Sequence, residues 1–215
     1  MERTICVKGT GSLSAKADLI VVNLTVTNED KEYDETLSGA SAKVSILNGA
    51  LQSIGFENDD LKTLKFDISA DYDSEKDRYG NYRQVFRGYE CEYRLKLSFD
   101  FESKRLGEVL KAIAECGADA ETRFNFTVKD RAKVSEALLA SAAENAREKA
   151  EILCRASGVN LGELLNIDYS WGIIDIRSDS DITAYGLGLG IMETPDFMPD
   201  DIDLEDTATF VWEIK

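Results

Sequence analysis

The chain contains no histidine, and that absence removes more chemistry than any motif in it supplies. Ser-His-Asp and Cys-His catalysis, histidine-ligated zinc and the usual proton shuttle near neutral pH are excluded. Any catalysis would fall to carboxylates, Lys, Tyr or Cys. Proline is scarce, at two residues in 215, so little of the chain can be Pro-rich linker. The four cysteines, Cys6, Cys91, Cys116 and Cys154, stand far apart with no CxxC pair. Disulfide frameworks belong to small, cysteine-dense chains, so buried, reduced thiols are expected instead. No run approaches the ~20 apolar residues of a transmembrane helix. No basic and then apolar leader opens the chain, where Thr4-Ile5-Cys6-Val7 already reads as a strand. As written it reads as cytoplasmic; a signal peptide preceding it would make it periplasmic or exported.

Positive charge is also in deficit: 25 Lys and Arg stand against 41 Asp and Glu, a net charge of −16. Phosphate backbones are bound by Lys and Arg that release counterions, and no basic cluster interleaved with aromatics is present. The expected partners therefore do not include nucleic acid, and anionic membrane surfaces are disfavoured for the same reason. The acidity reads as a solubility device. With 43% hydrophobic and 31% charged residues the composition is that of a globular protein, and a chain of this length buries roughly 70% of its unfolded surface.

The hydrophobic pattern sets out the elements. Residues 4–27 predict two strands, with Gly9-Thr10-Gly11-Ser12 supplying a turn or bulge between them. A helix is predicted from about Asp30 to Ile54. Its stripe Tyr33, Leu37, Ala40, Val44, Leu47, Leu51 and Ile54 recurs at alternate spacings of four and three, and Gly55 closes it. Leu64, Phe66, Ile68, Ala70 and Tyr72 then alternate outward along a long hairpin with a polar tip from Asp73 to Asn81. Tyr89, Cys91, Tyr93, Leu95, Leu97, Phe99 and Phe101 alternate back. Glu90, Glu92, Arg94 and Lys96 fall on the opposite side, so the sheet has one wet face. Ser103 is expected to cap a short helix ending at Gly117. A strand through Thr122, Phe124, Phe126 and Val128 follows, then a long Ala-rich helix capped by Asp130, with Glu151 and Arg155 as an i,i+4 pair. Strands at Leu165–Trp171 and Ala208–Ile214 complete the order β-β-α-β-β-α-β-α-β-β. The expected fold is α+β, a largely antiparallel sheet with helices packed on one face.

Four features are candidate sites. The segment from about 172 to 203 is longer than structureless loops usually are in a compact domain. Its apolar residues Tyr185, Leu187, Leu189, Met192, Phe197 and Met198 make it the candidate interaction loop. Its glycines lack the preceding strand and following helix of a phosphate-binding loop. The acidic run Asp196, Asp200, Asp201, Asp203, Glu205 and Asp206 lacks the glycine and terminal Glu of a calcium loop and reads as a solvated linker. Cys116 ends a helix, where the dipole disfavours a thiolate, and Cys154 sits beside Arg155; both read as structural thiols. Carboxylate pairs such as Asp59-Asp60 carry little information among 41 acidic residues. No catalytic, metal or cofactor set emerges.

Several short stretches, in order and at fitting spacing, carry a resemblance. Val7-x-Gly9-x-Gly11 is followed by Ala17-Asp18, Gly88-Tyr89 opens the long returning strand, and Gly117-Ala118 precedes Phe124-x-Phe126. Ala146-Arg147-Glu148-Lys149-Ala150 leads to Gly158-Val159-Asn160-Leu161-Gly162, and Pro199-Asp200-Asp201-Ile202 runs on to Val211-Trp212-Glu213-Ile214. Together these resemble the SIMPL-domain family, a mostly bacterial group without a settled activity, some of whose periplasmic members are linked to oxidative-stress defence. Ala17 stands where that family usually shows proline. The resemblance implies a single SIMPL-like domain over 1–215 with a loop insertion at about 172–203, and a tendency to self-associate. It supplies no catalytic residues. The balance leans against an enzyme: the expectation is a non-enzymatic, self-associating scaffold or binding protein with a stress-related role, a homo-oligomer whose protein partner is unidentified. The alternative is a small-molecule binder or enzyme using carboxylate, Lys or Tyr chemistry in a pocket between sheet and helices.

Overall fold

The computed structural model describes residues 3–76, 80–170, 174–184 and 197–215. Its elements run β1 (Thr4–Ala15), β2 (Leu19–Asp30), α1 (Tyr33–Ser53), β3 (Lys62–Lys76), β4 (Tyr82–Asp100), α2 (Ser103–Glu115), β5 (Glu121–Thr127), α3 (Arg131–Ala156), β6 (Leu161–Asp168), β7 (Asp181–Ala184) and β8 (Ile202–Ile214). The fold is α+β in the expected order, with one further short strand, β7. Four residues are too few to show an alternation, which is why the sequence does not mark it. The strands divide between two sheets, ordered β1-β8-β6 and β3-β4-β2-β5-β7, and the chain forms two compact units around them.

In the unit of residues 1–18, 127–179 and 200–215, β8 is paired antiparallel with β1, from Thr4↔Glu213 to Ala15↔Ile202, and with β6 on its other side. The turn expected at Gly9–Ser12 is not there: β1 runs straight through it. The glycines serve close approach. A Cβ on Gly9 would lie 2.0 Å from the Ala142 carbonyl oxygen, and one on Gly11 2.1 Å from that of Leu138. α3 answers with small side chains one turn apart, Ala142, Ala146 and Ala150, between Leu138 and Cys154, all five buried. Two clusters form beneath it: Val7 and Ala146 with Phe210 and Trp212, and Leu138 with Val128, Ile176, Ile202 and Leu204. Asp130 caps α3 as expected, its carboxylate accepting the Lys133 N–H at 2.9 Å. Glu151 pairs with Arg147 at 3.1 Å rather than with Arg155; both lie one turn away, and Arg155 sits in the last turn, where helix carbonyls attract a cation.

In the unit of residues 19–126 and 180–199, β4 lies antiparallel between β3 and β2. α1 packs its stripe on β2 and β4, burying Ala40, Leu47 and Leu51 against Val22, Leu24, Leu95 and Leu97. The helix starts three residues later than expected, after Glu32. α2 is capped by Glu102 without a side-chain bond, so Ser103 is not the cap. It is already helical, and its hydroxyl instead accepts the Phe197 N–H at 3.2 Å. Arg105 of α2 lies over the Phe56 ring, 4.3 Å from its centre, and donates to the Ile54 carbonyl that closes α1.

Candidate functional site

β3 is the most exposed element of its sheet: none of its fifteen residues is buried. The cause is position. α1 covers β2 and β4, and β3 lies beyond them as an edge strand, paired only with β4 among the described residues. Alternation still gives it an apolar row, because Phe66, Ile68, Ala70 and Tyr72 stand opposite Tyr93, Cys91, Tyr89 and Phe86. Cys91 is fully buried, whereas Phe66 is 47%, Tyr72 53% and Phe86 45% exposed. The rings steady one another: Phe66 and Tyr93 are 4.8 Å apart, Tyr72 and Phe86 5.6 Å, Phe86 and Tyr89 5.3 Å, and Tyr89 and Tyr33 of α1 5.5 Å. The result is a half-wet aromatic ladder along an open strand edge, a surface soluble monomers usually hide.

The other side of the hairpin is polar. Lys65 lies 3.6 Å from Asp67 and 3.5 Å from Glu92, and Arg94 lies 2.8 Å from Glu92. Toward the tip, Arg83 meets Glu75 and Arg87 meets Asp73. These exposed pairs contribute little stability but set a fixed sign pattern along β3. Burial, helped by the charge of Asp67, pushes the Cys91 thiol up, which keeps it unreactive. Where β4 bulges at Arg87, Gly88 passes so close to β2 that a Cβ would lie 2.4 Å from the Asp30 carbonyl oxygen. A cleft of about 200 Å³ opens there between Asp30, Lys31, Asp71, Arg87 and Tyr89, smaller than the ~300–1,000 Å³ of most small-molecule sites.

Of the candidate loop residues, Tyr185, Leu187, Leu189 and Met192 lie outside the described residues. Phe197 is half-buried and tied by its N–H to α2, while Met198 is 87% exposed. Asp196 also lies outside the described residues, and the rest of the acidic run does not converge. Asp203 and Glu205 are exposed on β8, alternating with buried Ile202 and Leu204, so the expected linker is in part a strand. Asp206 accepts the Tyr169 hydroxyl at 2.6 Å, which raises the tyrosine's pKa. No group of three metal-ligating side chains is present among the described residues. Asp60 serves a turn, accepting the Glu57 N–H. The thiols need a correction: Cys91 and Cys154 are buried, Cys116 is half-buried, and Cys6 is exposed. Position 6 alternates with buried Val7 and points outward.

The hairpin alternation is legible in the sequence, but it predicts burial for a row that the end of the helical layer leaves open. β6 is a second bare edge, with Leu164, Leu165 and Ile167 exposed, yet it has eight residues and two register shifts. β3 is the better template for a further strand.

No described helix is long and apolar enough to cross a membrane. Two similar proteins share the description "26 kDa periplasmic immunogenic protein". That of Brucella abortus (strain S19) is 26% identical over 163 residues, and that of Brucella melitensis biotype 1 is 25% identical over the same length. Each alignment takes in 76% of this chain and 65% of the relative, so the chain spans a little under two thirds of their length. Residues 5–212, from β1 into β8, match the family described as "SIMPL: Protein of unknown function (DUF541)". The chain belongs to the SIMPL family.

Proposed function

We propose that this protein is a non-enzymatic, self-associating scaffold or binding protein, and that it acts as one SIMPL domain. The uncovered aromatic edge of β3 carries the reading, since burying half-exposed rings against another protein is favourable by about 25 cal/mol per Å². The periplasmic description of the two Brucella relatives supports an exported location, and the stress-related role rests on the family resemblance alone. The test is native mass by light scattering behind a sizing column over a range of concentrations, for the full chain and for a variant with residues 185–196 replaced by a short Gly-Ser linker. A defined oligomer is expected in the full chain, and a monomer throughout would overturn the reading. An oligomer lost on replacement would place the contact in the loop; one retained would exclude the loop as the contact. Slower recovery of a deletion strain from peroxide tests the stress role.

A second reading rests on the cleft beside Gly88, whose carboxylates, Lys31 and Tyr89 supply the groups that small-molecule chemistry without histidine would need. Thermal-shift screening against metabolites tests it. A ligand at 100 times its Kd would add about 2.7 kcal/mol, and a flat screen would count against it.

A further inference from the structure

The order of charges along β3 narrows the self-association reading, on which this inference rests, to one partner and one register. We propose that β3 pairs antiparallel with β3 of a second copy, about a two-fold axis through Ile68. From Lys65 to Lys76 the strand has no bulge of its own and no proline, so it can accept a ladder on its open side. Symmetric antiparallel pairing places one residue on the axis and sets its neighbours opposite one another at equal distances. Opposed side chains then share a face, so apolar row meets apolar row and the sheet continues from one copy into the next.

Charge selects the axis among positions 67–71, while an axis at Phe66 would meet the bulge at Leu64 two residues away. An axis at Asp67 or Asp71 sets a carboxylate against its own copy. One at Ser69 opposes Asp67 to Asp71, and one at Ala70 opposes Asp67 to Asp73. Like charges directly opposite are destabilising. The axis at Ile68 alone, among positions 67–71, opposes no like charges. It faces Lys65 with Asp71 of the second copy, twice by symmetry, Asp67 with Ser69, and Phe66 with Ala70, while Ile68 meets itself. Lys65 is exposed and Asp71 half-buried, and neither belongs to the hydrophobic core. A strand so matched to its own reverse is built for a second copy of this chain.

Charge reversal tests both partner and register. Lys65→Glu and Asp71→Lys should each give a folded protein by circular dichroism whose self-association is at least about tenfold weaker in sedimentation velocity, because both ends of the pairing become like-charged. Mixing the two variants should restore association, since each end then brings an acid against a base. The double variant K65E/D71K should restore it in one chain. Single variants that keep the wild-type mass would overturn the β3 interface and leave the broader self-association reading standing. Weakened variants that neither mixing nor the double change restores would overturn the register. A wild-type chain that stays monomeric throughout would overturn both.

Discussion

Tyr169 and Asp206 show what one contact between distant positions can do. The tyrosine hydroxyl donates to the carboxylate at 2.6 Å, tying the segment after β6 to β8, and the bond raises the phenol's pKa above its usual 10.0. The raised value belongs to the folded state, so the contribution is complete below the unfolded pKa and is lost as pH rises through the folded one. Stability should therefore fall as pH rises past the usual tyrosine pKa of about 10 more steeply in the wild type than in Tyr169→Phe, as followed by thermal unfolding at each pH. Cysteine reactivity is a second outcome at this scale. Exposed Cys6 should be alkylated by iodoacetamide more than about tenfold faster than buried Cys91 or Cys154, with mass spectrometry of the digest identifying the site. Equal rates at Cys6 and Cys91 would contradict the burial of β4.

Among the elements, glycine carries the clearest contrast. Gly9, Gly11, Gly39 and Gly49 look alike in the sequence as residues that weaken regular structure, yet their surroundings differ. Gly9 and Gly11 of β1 lie against the α3 backbone, Gly39 lies against the Asn28 side chain, and a Cβ on Gly49 would meet nothing within 4 Å. Gly9→Ala and Gly11→Ala should each cost about 2–4 kcal/mol by forcing strand and helix apart. Gly49→Ala should stabilise α1 by about 0.5–1 kcal/mol through helix propensity and a less flexible unfolded chain. Asp130→Ala should cost about 1 kcal/mol with the loss of its cap. Urea unfolding measures all four, and equal signs for Gly9→Ala and Gly49→Ala would refute the packing of α3 on β1. The Gly9-x-Gly11 motif and the Ala-rich helix are both visible in the sequence. Only their contact explains why a strand tolerates two glycines and a helix face needs three alanines.

For the whole molecule, self-association has a thermodynamic signature apart from mass. If folding and pairing are linked, the melting temperature should rise with protein concentration for the wild type and stay flat for Lys65→Glu. A flat wild-type curve, measured over about a hundredfold range, would mean that no pairing contributes to stability. The acidic surface, at a net charge of −16, opposes close approach of copies in general. Raising salt from about 50 to about 500 mM should therefore relax the general repulsion while weakening the Lys65–Asp71 pairs. A retained register with a modest net change is the outcome expected from interfaces held mainly by backbone hydrogen bonds and apolar contact.

Features that depend on neighbours along the chain are legible before any fold is known. The period of the hydrophobic pattern set the α+β class and the order of the long elements, Asp130 marked the start of α3, and spaced motifs from Val7 to Trp212 marked the family. The lack of histidine bounded the chemistry. Whatever depends on which elements end up side by side came only with the folded chain. Folding divided the strands between two sheets, turned the glycines of β1 from a turn signal into a seat for α3, and exposed Cys6. It also left the aromatic row of β3 at an edge. Alternation along a strand records which residues share a face, but whether a helix covers that face is settled by contacts between residues far apart in the chain, and local pattern carries no record of them.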